Sequence, residues 1–137
     1  PGWEARRFRE AARFAEGFEC RLAPDAARLE DLRGFLSAQR VFILGLLQNP
    51  NLLENERFTD LLWAICHLAE ELEVRDGFAN LPPPDLAHLA NDMRRAFGLL
   101  IREWLAYMAH LRAAYPYVYS LELRLNPFNP EAFVVVR

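Results

Sequence analysis

An all-α fold is predicted: a helical bundle of about four helices, with one long helix in the C-terminal half and an irregular or short-hairpin tail. Three observations carry this. Apolar residues recur at helical spacing through four stretches separated by Pro, Gly or Asn. The 137 residues suffice for a single domain, 1–137, that buries a real core. With 53% hydrophobic and 26% charged residues, the composition belongs to a globular chain and not a disordered one.

Trp3–Phe18 is the first helical stretch, with Phe8, Ala11, Ala15 and Phe18 on one face. Its Arg6, Arg7, Arg9 and Arg13 alternate with Glu4, Glu10 and Glu16, the pattern of a solvated, salt-bridged face. The other reading of these arginines is a juxtamembrane segment on the cytoplasmic side of a bilayer. Pro24 and Asp25 open a second helix that should run to about Gln48. Leu29, Leu32, Leu36, Ile43 and Leu47 make one stripe on it, and Phe35, Phe42 and Leu46 a second. Its second half is apolar almost all round, which predicts burial between neighbours or against a second subunit. Asn49-Pro50-Asn51 stops it.

Arg57–Arg75 is the third helix, ending near Gly77. Phe58, Leu61, Leu62, Ile65, Ala69 and Leu72 form its core stripe, while Asp60, Trp63, His67, Glu70 and Glu71 fall on the other side. The Pro-rich connector Leu81–Asp85 leads into a long helix from about Asp85 to Ala114. That helix keeps a single stripe of Leu86, Leu89, Ala90, Met93, Phe97, Leu100, Trp104, Met108 and Leu111. Tyr115-Pro116 ends or kinks it. In the tail, Tyr119, Leu121, Leu123 and Leu125 alternate with polar residues like a strand, which Phe133–Val136 could pair with. A further helical turn after Pro116 followed by an extended tail fits almost as well.

The net charge of −3 and pI of about 5.6 argue against nucleic acid as a partner. All 16 basic residues are arginine. Cys20 and Cys66 have neither CxxC spacing nor a dense framework, which fits a reducing, cytoplasmic setting. No run approaches the ~20 apolar residues of a membrane span; the longest is Val41–Leu47. The Pro-Gly start, without an initiator methionine, suggests a soluble piece of a longer protein. Ser37, Thr59 and Ser120 are the only hydroxyls apart from tyrosine, and none sits in a nucleophile elbow. Cys66 borders an apolar face and reads as core. With no phosphate loop or dinucleotide fingerprint either, neither an enzyme nor a bound cofactor is expected.

Two His/carboxylate pairs stand out: His67 with Glu71, and His88 with Asp92, each four residues apart and so on one helical face. Asp85 lies a turn before His88; Glu103 and His110 lie further along the same edge. Helical bundles draw metal ligands from facing helices, so the four pair residues are an alternative metal site. Against it, both pairs lie opposite the apolar stripes and should point outward. The primary expectation is therefore no metal. Trp63 and His67, with Tyr115, Tyr117, Tyr119 and Phe128 of the aromatic tail, are candidates for an interface in a homo-oligomer. The tail could equally fold back onto its own bundle.

Three segments, FTDLLWAICHLAEEL (58–72), EWLAYMAHL (103–111) and YPYVYSLELRLNPF (115–128), resemble the soluble helical region of prokaryotic potassium-channel-like, or ion-channel family, membrane proteins. The likeness lies in Leu61, Leu62, Trp63, His67, Leu68, Glu70 and Glu71, then Glu103, Trp104 and Leu105, then Tyr115, Pro116, Tyr117, Asn126, Pro127 and Phe128. Tyr119 and Glu122 depart from that pattern. The resemblance implies a non-catalytic assembly or regulatory domain on the cytoplasmic side of a membrane, attached to a pore through segments outside this chain. The alternative from the residues alone is a free-standing cytoplasmic bundle that binds a metal through His67, Glu71, His88 and Asp92.

Overall fold

A computed structural model of the chain describes residues 4–17 and 23–135; Trp3, Phe18, Cys20 and Val136 lie outside them. Among the described residues all regular structure is helical: α1 (Ala5–Gly17), α2 (Ala26–Leu47), α3 (Pro50–Leu53), α4 (Glu56–Glu73), α5 (Pro83–Ala114) and α6 (Pro116–Arg124). The chain divides into two compact units, Gly17–Leu100 and the pair of segments Pro1–Glu16 with Ile101–Arg137.

In the first unit, the starts of α2, α3 and α4 are each fixed by a polar side chain. Asp25 caps α2 by accepting from the Arg28 amide at 2.8 Å, and Asn55 caps α4 by accepting from the Phe58 amide at 3.2 Å. Pro24 thus precedes the cap instead of opening the helix. Asn49 caps the short α3, which the sequence reading did not anticipate: Pro50 stops α2 and also starts a new turn. The expected end of α4 at Gly77 is corrected as well. Glu73 is its last residue and Val74 closes it in a right-handed conformation; no described residue has positive φ, so no glycine cap is used.

The core joins Leu29 and Leu36 of α2, Leu68 and Leu72 of α4, Phe78 of the connector, and Leu89 and Ala96 of α5. Leu29, Leu72 and Leu89 are the largest side chains sealed completely among the described residues. Arg33 lids this core where α4 ends: it donates to the Arg75 carbonyl at 2.8 Å and lies 5.1 Å from the centre of the Phe78 ring. The apolar stripes need correcting on three helices: on α2, Phe35 and Phe42 of the second stripe are 61% and 65% exposed, and on α5, Ala96, left off the stripe, is buried. Leu68, left off the α4 stripe, is buried, whereas Phe97 and Leu100, placed on the α5 stripe, are 37% and 42% exposed. Burial on α5 here is centred on Leu89 and Ala96, two turns apart, because α2 and α4 both pack on that side.

In the second unit, Phe8 of α1 packs with Met108 and Leu111 of α5, and Trp104, Leu105, Val118 and Tyr119 close around them. Here the tail resolves into α6, with Pro116 in its first turn. The two-residue alternation misled because Leu121, Leu123 and Leu125 do not share a buried face; all three stay 40% exposed or more, and it is Val118 and Tyr119 that reach the core. Beyond Leu125 the chain turns on Asn126 and Asn129, whose side chains accept from the Phe128 and Glu131 amides. Phe128 meets Trp104 edge-on at 6.0 Å. No helix among the described residues is long and apolar enough to cross a membrane.

Candidate metal centre

The seam between α4 and α5 pairs residues in antiparallel order. His67 lies against Asp92, Glu71 against His88 and Arg75 against Asp85, so each step down one helix is a step up the other. Both His/carboxylate pairs use i,i+4 spacing, and the register places one pair directly opposite the other. The outward-pointing expectation is corrected for Asp92, which is buried, and in part for Glu71, while both histidines do face solvent; all four flank the core on the side where the two helices meet. Asp92 is only 4% exposed and Glu71 is half-buried, while His67 and His88 keep 46% and 48% of their side-chain surface open to solvent.

One donor atom from each of the four residues falls in a cluster whose members all lie within 4.8 Å of one another. Asp92 Oδ2 is 3.3 Å from both His67 Nε2 and His88 Nε2; Glu71 Oε1 is 3.4 Å from His88 Nε2 and 3.7 Å from His67 Nε2. Nitrogen and oxygen therefore alternate around a ring. A tetrahedron with metal–ligand bonds of about 2.0–2.2 Å has edges of roughly 3.3–3.6 Å; the four N–O edges of the ring, at 3.3–3.7 Å, are close to that length, and the N···N and O···O separations lie within 4.8 Å. These edges are longer than ordinary N–H···O contacts, which cluster at about 2.7–3.2 Å, although His88, after Arg75, still acts on Glu71 as a hydrogen-bond partner that lowers its carboxyl. Asp92 Oδ2 is fully buried and accepts no hydrogen bond. A buried carboxylate oxygen in that position is costly unless a cation answers it.

The second oxygen of Glu71 is held by an arginine, and that of Asp92 has an exposed arginine nearby as a charge neighbour. Arg75 donates to Glu71 Oε2 at 2.7 Å, and Arg95 lies 3.8 Å from Asp92 Oδ1. That leaves Oε1 and Oδ2 turned to the ring, the outer support typical of metal ligands. Arg75 also makes a two-pronged pair with Asp85, at 2.6 and 2.9 Å. These contacts hold the carboxyls of both acids below their ordinary range; for each, the hydrogen bond from Arg75 is the largest cause. Arg75 is correspondingly more basic than usual, chiefly through Asp85.

A pH dependence follows for Asp85. Its folded value is lowered, so its contribution to stability is complete above the unfolded value of about 4 and is lost as pH falls below it. In urea unfolding from pH 7 to pH 2, Asp85→Asn should lower the midpoint at pH 7 and shrink its fall below about pH 4. An acid limb identical to wild type would show that the pair contributes nothing.

The remaining sequence candidates are placed elsewhere. Trp63 is 61% exposed and lines an open groove of about 560 Å³ with Asp60, Ala64, His67, Arg95 and Leu99, which gives solvent a path to His67. Tyr119 and Phe128 pack within the second unit, Tyr115 stacks edge-on against His110 at 5.8 Å, and Tyr117 is exposed. Glu103 and His110 belong to the second unit and do not join the ring. Burial pushes the Cys66 thiol up, the largest cause of its shift, which keeps it protonated and a poor nucleophile. What sequence reasoning missed was the support from Arg75 and Arg95. The signal was present, as each arginine sits three or four residues after its acid.

The fold and the ring together define a class: an all-helical domain with a His/carboxylate quartet set in the seam of an antiparallel helix pair. The chain belongs to the family described as "Uncharacterized protein MJ1433, C-terminal helical domain", whose profile matches residues 1–124. It is 41% identical over 133 residues to the protein of that name from Methanocaldococcus jannaschii, covering 97% of this chain and 54% of that protein. The chain thus spans about half the length of the curated relative it matches. No solved structure matches it. The resemblance to potassium-channel-like membrane proteins is overturned by this family assignment, which takes in the first two of the segments that suggested it and most of the third. Leu, Trp, His and paired acids at helical spacing recur in unrelated amphipathic helices, and the first two segments consist largely of such residues. The pore-attached reading loses its main support with it.

Proposed function

We propose that the domain binds one divalent transition-metal ion, with Zn²⁺ the best fit, through His67, Glu71, His88 and Asp92. The observation that carries this is Asp92 Oδ2, buried without a hydrogen bond and equidistant from two imidazole nitrogens. Two imidazoles and two carboxylates with N–O edges near the tetrahedral length suit Zn²⁺; Mg²⁺ and Ca²⁺ need six or more oxygens and fit poorly. The two carboxylates neutralise the ion's charge. Four protein ligands close the coordination sphere, which favours a structural role that staples α4 to α5 over a catalytic one.

Titration calorimetry on untagged protein stripped with chelator tests this. One equivalent of Zn²⁺ should bind per chain with a sub-micromolar dissociation constant, on the order of −8 kcal/mol or better. The paired change His67→Ala with His88→Ala should weaken it at least a hundredfold. Co²⁺ in place of Zn²⁺ should give the intense visible absorption of a tetrahedral site. Substoichiometric binding, or unchanged binding by the double variant, would overturn the proposal.

A further inference from the structure

α2 carries a second unexplained feature on the far side of the same unit. Phe35 and Phe42 are 61% and 65% exposed although both are large and apolar. They stand seven residues apart, about 10.5 Å along one edge of the helix. Beside them lies a hollow of about 510 Å³, with Leu68 of α4 and Met93, Ala96 and Phe97 of α5 among its walls. Gln39 is its one polar lining residue, and no charged side chain lines it. An uncharged surface of this kind on a small domain marks an interaction site.

We infer that this face is a two-fold contact between copies of the chain. The contact surface contains both halves of a fit: Phe35 and Phe42 protrude, and the hollow recedes. In a two-fold contact the same patch meets itself, so the phenyl rings of each copy can enter the hollow of the other. Close approach of the two α2 helices is possible because Gly34, Ala38 and Gly45 occupy the adjoining strip; a side chain at Gly34 or Gly45 would meet nothing within 4 Å. The area decides the strength. At roughly 200 Å² for a fully exposed phenyl side chain, Phe35, Phe42, Phe97, Leu100 and the partly open floor offer roughly 500 Å² per copy. Two copies then bury at most roughly 1,000 Å², the lower bound for a specific interface, which predicts a weak, reversible dimer. None of the four metal ligands lines the hollow, so the contact is independent of the metal proposal.

Sedimentation velocity on the 137-residue chain, from about 1 μM to several hundred μM, reads the outcome. The wild type should pass from the 15.9 kDa monomer to twice that mass as concentration rises, equally with Zn²⁺ and with chelator. Phe42→Glu and Phe35→Glu, both at exposed positions and so expected to fold, should each weaken dimerisation more than tenfold while keeping wild-type helicity by circular dichroism. Trp63→Glu, which lines the other groove, should dimerise as wild type does. A wild type that stays monomeric throughout would overturn the inference. So would phenylalanine variants that still dimerise, or a dimer that Trp63→Glu breaks.

Discussion

Zn²⁺ added to the metal-free protein should raise its melting temperature by on the order of 10 °C, and Asp92→Asn should abolish the rise. A ligand present at a hundred times its dissociation constant stabilises the state that binds it by about 2.7 kcal/mol, and for a domain of this size each kcal/mol moves the midpoint by a few degrees. The variant also separates a metal site from an ordinary ion-pair network. In a network, Asp92 would stabilise the metal-free protein and its removal would be harmful. In a metal site, its buried Oδ2 is a cost until the ion arrives, because no hydrogen bond offsets its desolvation. The metal-free variant should therefore be at least as stable as metal-free wild type, and only the metal-loaded comparison should show a deficit. Thermal melts with Zn²⁺ and with chelator measure both differences. A wild type indifferent to Zn²⁺, or an Asp92→Asn protein that responds equally, refutes the assignment.

The largest loss of stability should come from Leu89→Ala, at roughly 3–4 kcal/mol. Leu89 is completely sealed, and it packs into the same core as Leu29 of α2 and Leu72 of α4. Truncation removes its own burial and leaves a cavity that three helices cannot easily collapse into. Leu72→Ala should fall in the same range. Leu100→Ala is the contrast: at 42% exposure it should cost less than about 1 kcal/mol, although both leucines lie on the one stripe expected from the sequence. Urea unfolding compares the three. Equal losses at Leu89 and Leu100 would mean that the core does not lie where α2, α4 and α5 converge.

That contrast shows where the sequence stops being informative. Periodicity identifies which residues share a face, so the main helices and most core residues were legible. It does not say where on that face the neighbours press, and so it could not separate Leu89 from Leu100 or find Leu68. The candidate site has the same history. Spacing alone placed His67 with Glu71 and His88 with Asp92, yet whether the pairs meet depends on the register of α4 against α5. That register is set in space, by Arg75 gripping Asp85 across the connector and by Leu72 and Leu89 sharing a core. One turn of slippage would separate the four ligands without altering any pattern in the sequence. In α6 two patterns competed. Alternation at Tyr119–Leu125 suggested a strand, but Pro116 presets a helical start, and the helix brings Val118 and Tyr119 onto Met108 and Leu111.

The second unit is assembled from two pieces of chain, α1 at one end and the segment from Ile101 onward at the other, with all of Gly17–Leu100 between them. The two units therefore differ in how they form. Every contact in Gly17–Leu100 lies within one continuous stretch, so that unit can condense by itself. Phe8 reaches Met108 and Leu111 only after a loop containing the whole first unit has closed, and such distant contacts pay the closure entropy before they return any burial. α1 is thus expected to dock late in folding. Losing α1 would bare Met108 and Leu111 while leaving the neighbours of every proposed metal ligand in place.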